Sequence, residues 1–138
     1  MNQIFIDAGP LRAFITPRDQ YQQKTLQLLR YLSNQKVKLI TSDYVLNEVF
    51  TGLLGVKKTG HMRIFQFNNF IFQKEAVQII WITKEKFYRT KDIFLKVSKD
   101  KLWSFTDCAS FVVMKELKIK TAFTFDEHFK QMGIKILE

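Results

Sequence analysis

Short apolar runs alternate with longer amphipathic segments along the chain. The short runs have the length and the β-branched and aromatic content of buried strands, and they occupy residues 4–6, 37–40, 77–82, 121–124 and 134–137. The longer segments repeat apolar residues at helical spacing, and they occupy residues 21–32, 42–54, 61–72, 84–97, 105–117 and 127–132. The pattern therefore predicts strands separated by helices.

This alternation predicts the α/β fold class. Strands joined through helices form βαβ units, so we expect a three-layer α/β/α architecture with a central, mainly parallel sheet of about five strands. The chain has 138 residues with only 5 Gly and 2 Pro, and no stretch resembles a linker, so residues 1–138 are predicted to form a single domain. In doubly wound folds the functional site lies beyond the carboxyl ends of the strands, near a reversal of strand order.

Acidic side chains stand where that site is expected. Asp7 directly follows the first predicted strand, and Asp126 follows the fourth. Glu48 and Asp107 lie on predicted helices that can reach the same edge of the sheet. Four converging carboxylates repel one another unless a cation holds them, and such hard oxygen ligands suit Mg²⁺ or Mn²⁺ rather than zinc. The sequence therefore predicts a metal site built from these four acids.

Each acid also has an ordinary structural interpretation. Asp7 can be a turn residue that starts a helix, and Asp126 can cap the helix that follows it. Asp107 stands three residues after Ser104, as in a capping box, and Glu48 lies outside the apolar stripe of its helix. Taken singly, these interpretations are as good as the functional one. The four acids together favour the metal site.

The charge balance is strongly basic. Lys and Arg number 22 against 13 Asp and Glu, which gives a formal charge of +9 and favours polyanionic partners such as nucleic acid. Segment 83–101 holds seven basic residues, and the alternative interpretation of such a segment is a solvated helix face. A second basic group surrounds the loop near residue 60. It consists of Lys57, Lys58, His61 and Arg63.

The remaining reactive side chains have structural interpretations. The single cysteine, Cys108, lies on an apolar helix and is predicted to be a core residue rather than a nucleophile. His128 follows Asp126 by two residues, and we expect it to pack or to cap a helix. The N-terminal residues do not resemble a signal peptide, and the apolar runs are shorter than a membrane span. We therefore expect a soluble, cytoplasmic protein that makes no membrane contact.

Four segments carry a resemblance to a known family. The chain resembles the PIN-domain nucleases and, within them, the VapC toxins of toxin–antitoxin pairs. The resemblance follows the family's order over nearly the whole length. The segments are IFIDAGPL at 4–11, TSDYVLNE at 41–48, SFTDCASF at 104–111 and TAFTFDEHF at 121–129.

The resemblance implies a metal-dependent endoribonuclease that uses Mg²⁺ or Mn²⁺ to activate water against RNA phosphodiester bonds. It implies that Asp7, Asp107 and Asp126 ligate the metal, directly or through water, while Glu48 either ligates it or orients the attacking water. It also implies a homodimer and a cognate antitoxin whose C-terminal segment covers the acidic site. The Phe-rich segment 64–72 suits such an interface, and a fully buried helix would show the same pattern.

The chain departs from the family pattern at two positions. Many members carry Ser, Thr or Asn two residues after the first acid, whereas this chain has Gly9. The support for Asp7 must therefore come from elsewhere or be missing. Asn47 stands where relatives often have a second acid. Nearby hydroxyls are candidates for supporting the site, and they belong to Ser104, Thr106 and Thr124.

Three other functions are compatible with parts of the pattern. One is a stand-alone PIN nuclease in RNA processing, without an antitoxin. Another is a non-catalytic RNA- or protein-binding module on the same fold, which Gly9 favours. The third is a flavodoxin-like nucleotide binder, which needs a phosphate-cradling loop where this chain has Asp7.

Overall fold

A five-stranded parallel sheet forms the centre of the molecule. The computed structural model describes residues 2–137. The strands are β1 (Gln3–Ile6), β2 (Lys38–Ser42), β3 (Gln78–Ile80), β4 (Thr121–Phe123) and β5 (Lys135–Ile136). Their order is β3-β2-β1-β4-β5, and each neighbouring pair is parallel. With helices on both faces, this is the predicted three-layer α/β/α architecture.

All the helices except α1 follow the predicted segments. Helix α4 continues into a π-helical turn, Asn69–Gln73, in which the Lys74 amide donates to the Asn69 carbonyl. The helices are α1 (Ala8–Ile15), α2 (Gln22–Asn34), α3 (Asp43–Leu53), α4 (Gly60–Asn68), α5 (Lys84–Val97), α6 (Phe105–Glu116) and α7 (His128–Gln131).

Helix α1 is the element that the periodicity does not predict. Its first residues, Ala8, Gly9 and Pro10, resemble a turn. Proline is tolerated in the first turn of a helix because the amide that it lacks has no partner within the helix. The following residues Leu11 and Ala13 are buried and anchor the helix against the core.

The central strands are buried on both faces. Ile4, Phe5 and Ile6 of β1 are fully buried, and so are Ala122 and Phe123 of β4. A continuous apolar run is expected for strands that are covered by helices on each side. The edge strands β3 and β5 are only partly buried.

On the outer layer, α5 packs on α6 through an aromatic contact. The rings of Phe87 and Phe94 lie 5.2 and 5.4 Å from the ring of Phe105. Cys108, on α6, is fully buried as predicted, and burial raises the pKa of its thiol to about 11. Within residues 2–137, no helix has the length and apolar character needed to cross a membrane.

The strand order reverses between β1 and β4, which fixes where the site lies. From β1 the chain moves outward through β2 to β3, and then it returns to the other side of β1 as β4. Ile6 is paired with Phe123, and the Asp7 amide donates to the Phe123 carbonyl at 2.9 Å. The carboxyl ends of these two strands therefore open side by side, as expected for a ligand site in such a fold.

Candidate active site at the reversal of strand order

One pocket brings the four predicted acids together. It has a volume of about 730 Å³ and lies beyond the carboxyl ends of β1 and β4. Asp7, Glu48, Asp107 and Asp126 all line it, although they come from four separate parts of the chain. The predicted convergence of these side chains is therefore present in the structure.

Asp7 and Asp107 are the most buried of the four predicted acids, and Asp7 is held by a side-chain hydrogen bond. Its exposed fraction is 8%, and its Oδ2 accepts a hydrogen bond of 2.7 Å from the Thr124 hydroxyl. Burial raises the pKa of the Asp7 carboxyl to about 6, and the negative charges of Asp107 and Glu48 add to this rise. The hydrogen bond from Thr124 acts in the opposite direction. Thr124 thus supplies the support that Gly9 does not offer.

Asp107 combines a structural role with its place in the pocket. The Asp107 amide donates to Ser104 Oγ at 3.0 Å, and the Ser104 amide donates to Asp107 Oδ2 at 3.1 Å. This is the capping box suggested by the spacing, and it fixes the carboxylate at the start of α6. Burial raises the pKa of Asp107, and the charge of Asp126 adds to the rise.

A tight turn presents Asp126 and His128 to the same pocket. The Asp126 amide donates to Thr124 Oγ1 at 3.0 Å, and the His128 amide donates to Asp126 Oδ1 at 2.9 Å. Thr124 therefore supports Asp7 through its hydroxyl hydrogen and Asp126 through its oxygen. The Asp126 side chain thus accepts a hydrogen bond from the first amide of α7, as its structural interpretation suggested.

The side chain of His128 lies beside two of the predicted metal ligands. Its Nδ1 lies 3.2 Å from Asp126 Oδ1 and 3.7 Å from Asp107 Oδ2. Its contact with Asp107 depends on how α6 meets the β4–α7 turn, which no local pattern specifies. The only signal in the sequence was the two-residue offset from Asp126.

Glu48 stands at the exposed rim of the pocket on α3. Partial burial raises the pKa of its carboxyl, with a smaller contribution from the charge of Asp107. A hydrogen bond with Thr106 and the positive charge of Arg12 lower it. Asn47, by contrast, is exposed and is not among the residues that line this pocket.

Arg12 is a cation that the sequence analysis did not single out. It lies on α1 and lines the same pocket as Glu48, which lies on α3. Its guanidinium lies across Gly52 of α3, where an added Cβ would stand 2.6 Å from Nη1. The absence of a side chain at Gly52 therefore leaves the space that Arg12 occupies.

An aromatic pair forms another side of the pocket. Tyr21 and Phe125 both line it, with ring centroids 4.5 Å apart and ring planes tilted by 31°. A Cβ at Gly9 would lie 2.9 Å from the Phe125 ring. Glycine at this position thus allows Phe125 to sit close to α1. Tyr21 remains 43% exposed, so its ring is open to a ligand.

One end of the predicted basic segment reaches the pocket. Leu102, which is 88% exposed, lines the pocket and lies directly after Lys101 in the predicted basic segment. On α5, Lys86 and Arg89 both pair with Glu116 of α6, at 3.4 and 2.6 Å. The segment is therefore in part an ion-paired helix face, which is the alternative interpretation of its charge.

The donor atoms in the pocket fit a divalent cation. Burial and, to a smaller extent, the neighbouring carboxylates raise the pKa values of Asp7, Asp107 and Glu48, so a bound cation would favour their charged forms. Single donor atoms of Asp107, Asp126 and His128 all lie within 4.8 Å of one another. The carboxylate oxygens suit Mg²⁺ and Mn²⁺, whereas an imidazole nitrogen is a ligand of transition-metal ions.

Comparisons with known proteins agree with this architecture. Residues 4–135 match the PIN domain as a protein family. Among solved structures, the Mycobacterium tuberculosis toxin VapC20, described as cleaving the sarcin-ricin loop, aligns with a TM-score of 0.79 at 23% identity, covering 95% of each chain. VapBC2 from Rickettsia felis, bound to a promoter DNA fragment, aligns at 0.69 and 14% identity over 98% of this chain and 97% of the other.

A third similar structure is FitAcB from Neisseria gonorrhoeae, with a TM-score of 0.65 at 11% identity over 98% of this chain and 96% of that one. At these identities the likeness concerns the fold. The comparison with curated proteins gave no match.

Proposed function

Because the chain belongs to the PIN-domain family, we propose that it is an endoribonuclease dependent on Mg²⁺ or Mn²⁺ and the toxin of a toxin–antitoxin pair. The observation that carries the proposal is the convergence of four carboxylates on one pocket at the reversal of strand order. The similarity to VapC20, an RNA-cleaving toxin, supports the choice of substrate.

The four acids divide between holding the cation and guiding water. Asp7, Asp107 and Asp126 hold the ion, because two of them are deeply buried and all lie next to hydroxyl or amide groups that fix their orientation. Glu48 would orient the attacking water, because it stands at the exposed rim of the pocket, where water reaches it. A divalent cation, when bound, lowers the pKa of water and stabilises charge on the phosphate.

The RNA approaches across the basic rim. Lysines of segment 83–101 attract the phosphate backbone, and Arg12 contacts a phosphate next to the cleaved bond. Tyr21, supported by Phe125, stacks on an unpaired base that enters the pocket. The chain thus separates the binding of the backbone, at the rim, from the chemistry, in the acidic centre.

The partner proteins follow from the same proposal. VapBC2 and FitAcB are complexes, which supports an antitoxin partner for this chain, and we extend the proposal to a homodimer acting in the cytoplasm. The Phe-rich segment supports an interface, because its aromatics do not all face the core. Phe67 is fully buried, whereas Phe65 is 61% and Phe72 is 45% exposed.

The function is tested by cleavage of total RNA by the purified protein with Mg²⁺, with Mn²⁺ and with EDTA. We expect cleavage that needs the cation and falls by about 10³-fold or more in Asp7→Asn, since an interaction with a metal is worth several kcal/mol in the transition state. The matched control is Asp92→Asn, at a surface carboxylate that is 70% exposed and paired with Lys91.

Equal cleavage by Asp7→Asn and by the wild type contradicts the proposed site. Tight RNA binding in EDTA, together with no cleavage under any condition, supports the non-catalytic binding module instead. That alternative was favoured by Gly9, and the hydrogen bond from Thr124 to Asp7 removes its main support.

A further inference from the structure

One ring nitrogen in the pocket has no hydrogen-bonding partner. Nδ1 of His128 is buried from solvent, and within residues 2–137 no group donates to it or accepts from it with hydrogen-bond geometry. The nearest carboxylate oxygen, Asp126 Oδ1, already accepts from the His128 amide. A buried polar atom without a partner destabilises the fold unless a ligand or an ion satisfies it.

The geometry around this nitrogen resembles that of a ligand set. Neighbouring ligands of an octahedral ion at about 2.1 Å lie roughly 3.0 Å apart, and opposite ligands roughly 4.2 Å apart. His128 Nδ1 lies 3.2 Å from Asp126 Oδ1 and 3.7 Å from Asp107 Oδ2, between these two values. One donor atom from each of the three residues lies within 4.8 Å of the others.

We propose that His128 Nδ1 is a direct ligand of the cation, together with Asp107 and Asp126, and that this nitrogen makes the site select Mn²⁺ over Mg²⁺. The inference rests on the proposed function and names the metal that this function uses. Imidazole binds transition-metal ions well, whereas Mg²⁺ takes oxygen ligands almost exclusively. A pocket that offers only carboxylate oxygens discriminates less strongly between Mn²⁺ and Mg²⁺.

The chain offers a direct spectroscopic test because it contains only two histidines. The metal-free protein is labelled with ¹⁵N-histidine and loaded with Mn²⁺, and pulsed electron paramagnetic resonance reports whether an imidazole nitrogen binds the ion. We expect the histidine signal in the wild type and its loss in His128→Gln. The matched control, His61→Gln, should keep the signal, because His61 is exposed on α4 and packs on Phe65.

Titration calorimetry with each metal alone provides a second readout. We expect His128→Gln to weaken Mn²⁺ binding at least about 10-fold and Mg²⁺ binding less than about 3-fold, because only one ion gains from the nitrogen. Circular dichroism verifies that the variant is folded, and the wild-type spectrum tests the ligand without any substitution.

The possible failures can be told apart. If Mn²⁺ binds and RNA is cleaved but no histidine nitrogen couples to the ion, His128 is a counter-ion of the acids and the inference is wrong while the proposed function stands. If His128→Gln weakens the binding of Mn²⁺ and of Mg²⁺ by the same factor, the proposed selectivity for Mn²⁺ is wrong. If the wild type binds neither metal and cleaves no RNA, the proposed function itself fails.

Discussion

The acidic pocket and the basic face of α5 differ in how their charged side chains are arranged. In the pocket, Asp7 and Asp107 are each only 8% exposed, and burial, with a smaller contribution from neighbouring carboxylates, raises the pKa of each. On α5 the cations lie near solvent, and Lys86 and Arg89 share the single carboxylate of Glu116. One region concentrates like charges, and the other pairs opposite charges.

The difference shows where single residues matter. A buried, charged carboxylate beside other carboxylates destabilises the folded protein. A bound cation removes this repulsion, so the same arrangement favours cation binding. An exposed lysine is screened by water and salt, and its neighbours can replace it. Substitutions should therefore have large effects in the pocket and small, additive effects on the basic surface.

The largest expected effect concerns the stability of the metal-free protein. The pKa of Asp7 is about 6 in the folded state against 3.8 in the unfolded state, so the folded state binds more protons between these values. The free energy of unfolding of the metal-free wild-type protein therefore falls as the pH rises from about 4 to about 6. In EDTA at pH 7.5, Asp7→Asn should be more stable than the wild type by up to about 3 kcal/mol.

Urea denaturation at several pH values measures this difference. The advantage of Asp7→Asn should shrink as the pH falls towards 4, where the wild-type carboxyl is protonated as well. Adding Mn²⁺ should stabilise the wild type more than the variant. An advantage that persists unchanged at low pH would show that the charge of Asp7 is not its cause.

The next effect concerns the hydroxyl that links two of the acids. Thr124→Val removes the hydrogen bonds that orient Asp7 and Asp126, so cleavage should fall by about 10- to 100-fold. The control is Thr90→Val, which removes a buried hydroxyl that bonds to the Lys86 carbonyl within α5. If both variants lose the same activity, the loss follows from general destabilisation and not from the orientation of the acids.

A smaller effect is expected at the aromatic side of the pocket. Tyr21→Leu should weaken RNA binding by about 10-fold, since stacking of a base on an aromatic ring contributes about 1–3 kcal/mol. Tyr31→Leu provides the control, because Tyr31 is 51% exposed but lines a different cavity. Binding is measured by fluorescence anisotropy in the Asp7→Asn background, where RNA is not cleaved. Equal affinities of the two tyrosine variants would exclude stacking on Tyr21.

The smallest effect belongs to the basic surface. Replacing both Lys99 and Lys101 with Gln should weaken RNA binding only a few-fold at moderate salt and should reduce the salt dependence of binding. The control replaces Lys118 and Lys120, which lie before β4 at the opposite edge of the sheet. If the control pair changes the salt dependence equally, the RNA does not approach along segment 83–101.

The local pattern was sufficient to predict the layers of the fold and the positions of the acids. Buried strands and amphipathic helices have different periods, and an acid that directly follows a parallel strand must stand at its carboxyl end. Helix α1 was missed because Gly9 and Pro10 disfavour a helix locally, while burial of Leu11 and Ala13 in the folded protein outweighs that preference.

Other features depend on contacts between distant segments. The hydrogen bond from Thr124 to Asp7 joins residues 117 positions apart, and no local pattern specifies it. The same holds for the approach of His128 to Asp107, which links the turn after β4 to the start of α6. The sequence could indicate which side chains carry the chemistry, but the groups that orient them emerge only when the chain is folded.

Gly52 shows how far such constraints extend beyond reactive groups. It carries no side chain and touches none of the four acids in the contacts described above, yet an added methyl group would collide with the Arg12 guanidinium at 2.6 Å. Even alanine, a favourable residue in a helix, would displace this cation from the mouth of the pocket. Because the colliding atom is the far end of a flexible side chain, Arg12 can move aside, and an alanine at this position should shift the cation rather than disrupt α3. A position without chemistry of its own thus sets where a positive charge stands in the pocket.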